Sequence, residues 1–338
     1  MTQFNRRAFL KTSGATGAVG LTGLSGCLGS IGGGGTPTIS FGWVVPVENI
    51  GSMLDIPEIQ EELPNLGDAY EFESVHHSST PEGVSALAAG ETDATLVTTV
   101  SYANVIGNEA VPSGIQAILT DFWDAYPEKF GFHIYAGPDT DISEPADLEG
   151  KQLGVNATGT SVHAVFVKGL VDSGIDPEND VEFVELGFPA FIQALKDGRF
   201  DAAIFPSLFA LQAESEGFPL VFTSHDFWEA YPCGYMIAPN DVLDEKNDAM
   251  SAFVEDYVAT WEWMQNNRSE AVSLAADHFE LPEAGLDAIV ATENDYYRGD
   301  MSMDIEALNN VMSVISDLGF TEGGRDYSEF ATNDYHPS

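Results

Sequence analysis

The sequence predicts a two-lobe α/β protein, each lobe a mostly parallel sheet flanked by helices, with two crossover strands as the hinge. Three observations predict it. The chain has 338 residues, more than one ordinary core and enough for two. A strand–helix–strand segment occurs twice without a gap. A second motif repeats at nearly the same offset.

The first repeat sets P-E-G-V-S-A-L-A-A-G-E-T-D-A, from Pro81, beside P-A-F-I-Q-A-L-K-D-G-R-F-D-A, from Pro189. The shared frame is P-x-x-x-x-A-L-x-x-G-x-x-D-A. Pro suits the first turn of a helix, Ala-Leu its buried face, and Gly its end. Strand-like runs precede the copies at 70–75 and 181–186 and follow them at 94–98 and 202–205. Each copy is therefore a βαβ unit. The second repeat is D-F-W-D-A-Y-P from Asp121 and D-F-W-E-A-Y-P from Asp226. Both are expected as loops, each between a strand (115–119, 220–223) and a crossover strand (132–136, 235–238). Near-equal offsets mean two lobes of like topology.

Further strands are expected at 38–45 and 152–155, and a helix at 161–173. Apolar spacing near 3.6 predicts tail helices at 249–266, 269–279, 283–294 and 305–318, packed back on the first lobe. Lobe one then comprises 38–135 plus 234–338, and lobe two 136–233.

The first 26 residues read as a targeting segment. Asn5-Arg6-Arg7-Ala8-Phe9-Leu10-Lys11 resembles the twin-arginine export pattern, and a short apolar stretch follows. Leu24-Ser25-Gly26-Cys27 matches a lipobox, in which the Cys27 thiol takes the lipid. Residues 27–37, rich in Gly, read as a flexible tether. These features place the chain on the extracellular face of the cell membrane.

The chain carries 12 basic and 54 acidic residues. Such a surface repels nucleic acid, whose phosphates need Lys and Arg. The acids are spread along the whole chain, which points to concentrated salt, where screening acts over only ~3 Å at 1 M. An extremely halophilic source and a lipoprotein of haloarchaeal type are inferred. Two cysteines and seven histidines show no metal-ligand spacing, and with Cys27 lipidated Cys233 has no partner for a disulfide. No metal, cofactor or catalytic set is expected.

The two A-L-x-x-G-x-x-D-A segments, the run D-L-E-G-K-Q-L-G-V from Asp147, and Tyr231-Pro232 before an apolar strand carry a family resemblance. The chain resembles the type II periplasmic binding proteins of the sulfonate, taurine, nitrate and thiamine-precursor import group, called NMT1/THI5-like. The resemblance runs from Thr38 to about Leu318. It implies a periplasmic binding protein type II fold and a monomeric solute-binding protein of an ABC importer. Its implied partners are a small-molecule ligand (a sulfonate, a nitrate-like anion or a pyrimidine-type ring), a permease with a cytoplasmic ATPase, and the membrane through the lipid. The group also holds pyrimidine-synthesising enzymes with a C-C-C-F-C element, which this sequence lacks. The alternatives are a single-turnover synthase of that kind and a ligand-sensing ectodomain.

Ligands of parallel α/β sheets sit where strands end and helices begin. Six loops fit: 43–46, 76–80, 98–101, 156–161, 187–189 and 205–207. Their hydroxyls and helix N-termini suit an acceptor group, and ordinary capping is the plainer reading of the same residues. Aromatic surface comes from Trp43, Phe188, Phe205, Trp123, Tyr126, Trp228 and Tyr231. The expected ligand contacts are Trp43, His77, Ser78 and Thr99 from lobe one, Thr158, Thr160, Phe188 and Phe205 from lobe two, and Tyr231 at the return crossover. None of the six loops holds a Lys or Arg.

Two outcomes are expected. Cys27→Ala releases the protein from membranes into the medium with its melting unchanged; retention on the membrane contradicts the anchor. Melting temperature falls steeply as salt drops below molar, because like charges repel as screening fades; a flat melting curve down to millimolar salt contradicts the salt-adaptation reading.

Overall fold

A computed structural model describes residues 35–337 of the chain. The export motif with Arg6 and Arg7, the lipobox Cys27 and most of the tether lie outside the described residues. Among the described residues ten strands form two five-stranded sheets. They are β1 (Thr38–Trp43), β2 (Glu71–His76), β3 (Ala94–Thr98), β4 (Ile115–Asp124), β5 (His133–Ala136), β6 (Gln152–Val155), β7 (Glu182–Glu185), β8 (Ala202–Phe205), β9 (Leu220–Thr223) and β10 (Tyr231–Pro239). The first sheet runs β2-β1-β3-β10-β4 and the second β7-β6-β8-β5-β9. In each, one strand is antiparallel to its neighbours: β10 in the first, β5 in the second. These are the strands that enter each sheet from the other, so the sheets share one topology and the two-lobe α/β fold stands.

Eleven α-helices among the described residues flank the sheets: α1 (Pro57–Gln60), α2 (Thr80–Ala89), α3 (Thr99–Gly107), α4 (Ser161–Asp172), α5 (Phe191–Lys196), α6 (Ser207–Ser215), α7 (Asn240–Glu245), α8 (Asn247–Asn266), α9 (Arg268–Phe279), α10 (Glu283–Ile289) and α11 (Ile305–Asp317). β3, β8 and β10 are almost wholly buried, as strands covered on both faces must be. α8 covers β1 with Phe253 and Tyr257 against Phe41, ring centroids 5.5 and 5.8 Å apart.

The gapless repeat is structural. Its Gly ends the helix in both copies, Gly90 at φ +71° and Gly198 at φ +64°, a left-handed conformation that side chains resist. Its Asp then clips two strands together. Asp93 accepts from Ser40 N (2.8 Å), while Asp93 N donates to Ser40 O (2.9 Å). In the second copy Asp201 accepts from Gln152 N (2.8 Å) and its own N–H donates to Gln152 O (2.7 Å). The motif therefore sets the start of β1 and β6 against the strand that follows the helix.

The D-F-W repeat differs from expectation. Its first copy is not a loop: β4 extends through Asp124 and pairs with β10 along its length, with bulges. Asp121 and Asp124 are fully buried there. The second copy follows β9, where Asp226 reciprocates a capping box with Thr223. Trp123, expected in a polar loop, lies on β4, where its backbone N–H donates to Tyr297 O (2.8 Å). The return crossover starts four residues early, at Tyr231. The tail helices form, but α10 packs against α6 rather than only on the first sheet's helices, and it stops at Ile289.

Asp124 ties both crossings between the sheets. Its Oδ1 accepts from Phe132 N (3.0 Å) and Ser224 Oγ (2.9 Å), and its Oδ2 from the Tyr231 hydroxyl (3.0 Å). The link into β5 and the link into β10 thus converge on one carboxyl group, whose pKa is raised by burial. Asp124→Ala strands three buried donors, each costing about 1–3 kcal/mol. The expected loss exceeds about 3 kcal/mol in chemical melts at molar KCl, and Asp124→Asn, which keeps an acceptor, loses less than half of that. Equal losses for the two variants contradict the tie.

Candidate functional site

The carboxyl ends of the parallel strands in both sheets face a common cleft, where α2, α3, α4 and α6 begin. A helix start leaves its first N–H groups without intrahelical partners. Ser79, Thr98, Thr160 and Pro206 occupy the four N-cap positions, and none caps its own helix with a side chain. Ordinary capping, the plainer reading of the loop hydroxyls, is therefore not what these residues do. The partners come from across the cleft. Ser161 N on α4 donates to Thr98 Oγ1 of β3 (3.2 Å), and Val100 N on α3 donates to Ser161 Oγ (3.3 Å). Ser207 N and Oγ on α6 both donate to Glu48 Oε2 (3.3 Å each). Asn104 on α3 adds a bond to Gly159 O (3.3 Å).

Between these contacts lies a cavity with about 40 Å³ in which the centre of a water molecule can sit, room for a few waters. From the first sheet it is lined by Val44, Val45, Glu48, Asn49, Thr80, Leu96, Thr98 and Phe122, and from the other side by Phe132, Asn156, Thr160, Val162, Phe188 and Pro206. The wall is apolar and aromatic with a few convergent polar groups, the usual make-up of a small-molecule site. None of these lining residues is Lys, Arg or His.

The loop after β1 is built to hold Glu48. Asn49 Oδ1 accepts from Val44 N (2.9 Å) and Val45 N (2.8 Å), and Ser52 Oγ accepts from Val47 N (2.8 Å). Val47 sits at φ +69°, an unusual conformation for a β-branched residue. Such backbone strain costs of order 1–3 kcal/mol and is kept where the surroundings enforce it. Arg298, fully buried on the tail loop, donates to Glu48 O (2.8 Å), Asp121 Oδ1 (3.1 Å) and Asp295 Oδ1 (3.2 Å), and its guanidinium lies 5.0 Å from the Trp261 ring. One cation thus faces three acids. Burial pushes the Glu48 carboxyl up to about 8 against the pull of Arg298 and the Ser207 N–H, and pushes Asp121 up to about 6.

Of the nine expected contacts, Thr160 and Phe188 line the cavity, with Phe188 stacked on Phe209 at 5.7 Å. Thr158 does not line it, its N–H and hydroxyl both being given to Glu185. The other six lie outside the cavity wall. Trp43 is buried, donating to Ser74 Oγ (2.7 Å) and packed on His76 and Phe279. The His77 ring lies over Gly42 and Gly83 and does not line the cavity. Exposed Ser78 gives its N–H and hydroxyl to Glu82. Thr99 donates to Pro232 O (2.9 Å), joining α3 to β10. Phe205 is core, against Phe191 and Tyr135. Tyr231 serves Asp124 at the crossover.

The residues missed from the sequence are Glu48, Asn49, Asn156 and Arg298. Asn156 lay within one of the named loops. Glu48 lay just past another, and one acid among 54 carries no signal of its own. Arg298 was findable: a basic residue is rare here, and this one stands in an aromatic Tyr296-Tyr297-Arg298 run.

Known proteins share this architecture. A curated protein of Brachyspira hyodysenteriae, named provisionally as an ABC transporter periplasmic binding protein, is 26% identical over 149 residues, 40% of this chain. The match spans only 42% of that relative's length. The alkanesulfonate-binding protein SsuA of Xanthomonas axonopodis pv. citri, solved bound to MOPS, superposes with a TM-score of 0.72 at 13% identity, covering 87% of this chain and 98% of that one. The periplasmic nitrate-binding protein NrtA of Synechocystis PCC 6803 gives 0.70 at 13%, covering 89% and 87%. At these identities the two structures speak for the fold alone. The family described as NMT1/THI5 like matches residues 84–271. That stretch is more than half of the chain, which belongs to the NMT1/THI5-like family.

Proposed function

We propose that this protein is the extracytoplasmic solute-binding component of an ABC importer. It captures a small organic molecule between two lobes and delivers it to a permease driven by a cytoplasmic ATPase. The observation that carries the reading is the cavity walled from both sheets and shut by bonds that cross the cleft. A ligand that touches both walls favours the closed form over the open one, which is what a transport receptor needs. Family membership and the binding-protein names of the relatives support the same role.

The lobes in this reading are 38–135 with 234–338, and 136–233. The hinge is the pair of links gathered on Asp124. The chain works as a monomer, held to the membrane surface through lipid on Cys27, in concentrated salt. Among the described residues no helix is long and apolar enough to cross a membrane. Thr160 and Phe188 are the proposed contacts that line the cavity, joined by Phe132, Asn156 and Glu48.

The test is a distance. Spin labels on Ser85→Cys in α2 and Val171→Cys in α4 report the lobes, since native Cys233 is buried. Protein purified in molar KCl is unfolded to release its small molecules, refolded, and measured with and without the released fraction. The expected result is a shorter, narrower distance with that fraction, and loss of the response in Phe188→Ala. One unchanging distance, with no small molecule released, contradicts the reading.

A further inference from the structure

An anion bound between α/β lobes is ordinarily held by helix N-termini and by basic side chains. Here the basic side chain is spoken for, and three of the four helix N-termini at the cleft already hold an acceptor of the protein's own. The α6 N-terminus is occupied by the protein's own Glu48 carboxyl group, and the α3 and α4 N-termini by the hydroxyls of Ser161 and Thr98. The nearby guanidinium, Arg298, lies behind the wall and is shared among Asp121, Asp295 and the Glu48 carbonyl. What the wall offers is acceptors and aromatic surface. Glu48 contributes a carboxyl group, Asn156 Oδ1 is buried with no hydrogen-bond partner, and Phe122, Phe132 and Phe188 supply rings.

We propose that the ligand of this cleft is a small organic cation, an ammonium or amidinium group on an apolar stem. Its N–H groups donate to Glu48 and Asn156, and its stem and charge lie against the phenylalanine rings. The proposal rests on the binding-protein reading and gives it a substrate class. It excludes sulfonates and nitrate for this chain despite the sulfonate- and nitrate-binding proteins that share its fold. A cation can take the place of the Glu48 proton without changing the net charge of the group formed by Glu48, Asp121, Asp295 and Arg298, whereas an anion adds negative charge to it. The cavity's small size fits a compact head group.

Binding carries a proton signature. The groups facing Glu48 are Asp121 on β4, Cys233 on β10, Ser207 on α6, and Asp295, Tyr296 and Arg298 on the tail loop. Burial holds the Glu48 carboxyl protonated up to about pH 8, so a cation must displace that proton. Cation affinity therefore rises as pH climbs toward 8 and levels off above it. An anion accepting from protonated Glu48 would show the opposite slope.

The experiment titrates the full chain in molar KCl with propylammonium, acetamidinium, propane-sulfonate and nitrate, reading melting temperature and the spin-label distance. The expected result is saturable stabilisation and closure with the two cations and neither with the two anions. Glu48→Gln should weaken the cations at least tenfold while the probe-free protein melts no lower than the parent below pH 8, since Gln is a neutral isostere of a carboxyl group already protonated there. Asn156→Asp, which adds charge to the same wall, should tighten them and shows that the site can respond even if Glu48→Gln folds poorly. Closure by propane-sulfonate or nitrate overturns the cation assignment and leaves the binding-protein reading standing. Cation binding of equal strength in Glu48→Gln, or none in the parent chain, also overturns it. Failure of every probe and of the released native fraction to close the lobes defeats the binding-protein reading itself.

Discussion

Four helices begin at the cleft, and none is capped by a side chain of its own N-cap residue. Orphan N–H groups at a helix start must find acceptors, and buried ones cost about 1–3 kcal/mol each when they fail. This chain meets part of that requirement across the cleft: Thr98 serves α4, Ser161 serves α3, and Glu48 serves α6. These bonds set the register in which the two sides of the cleft meet. The cavity is the space that register leaves.

Glu48 has the most demanding position of the three. It must reach the opposite sheet's helix while forming cavity wall, and the backbone beneath it is strained at Val47. Arg298 makes this tolerable by gripping the Glu48 carbonyl from behind and joining it to Asp121 on β4. Two residues along the same strand from Phe122, Asp124 gathers the two interlobe links. The segment from Asp121 to Asp124 therefore serves both the cleft and the two links between the sheets. Removing one partner of such a buried ionic group is far more damaging than replacing the group as a whole, because it leaves an unpaired charge in a medium that solvates it poorly.

Much of the fold was legible because it depends on local rules applied twice. The repeated Pro, Ala-Leu, Gly and Asp each have a fixed task in a strand–helix–strand unit, and Asp93 and Asp201 perform the same clip in both copies. The D-F-W repeat misled because identical residues meet different partners. In the first copy, β10 runs beside them and draws them into β4; in the second, no strand does, and Asp226 caps a turn instead. The site was legible only as a set of loops. Which side chain of a loop faces the cleft depends on χ angles and on neighbours distant in sequence, so Trp43 turned to Ser74 and Tyr231 to Asp124. Glu48 could not be singled out among so many acids. Its importance comes from Ser207 and Arg298, which stand 159 and 250 residues away in the chain.

The claim that closure is a mutual capping event is tested most directly by amide hydrogen exchange at Val100, Ser161 and Ser207, measured in molar KCl with and without the small molecule released from the native protein. The account predicts that the three amides, drawn from helices on both sides of the cleft, gain protection together and by a similar factor when the molecule is added, because one motion pairs them all. Unequal gains, or protection already complete and unaffected by the molecule, would contradict it.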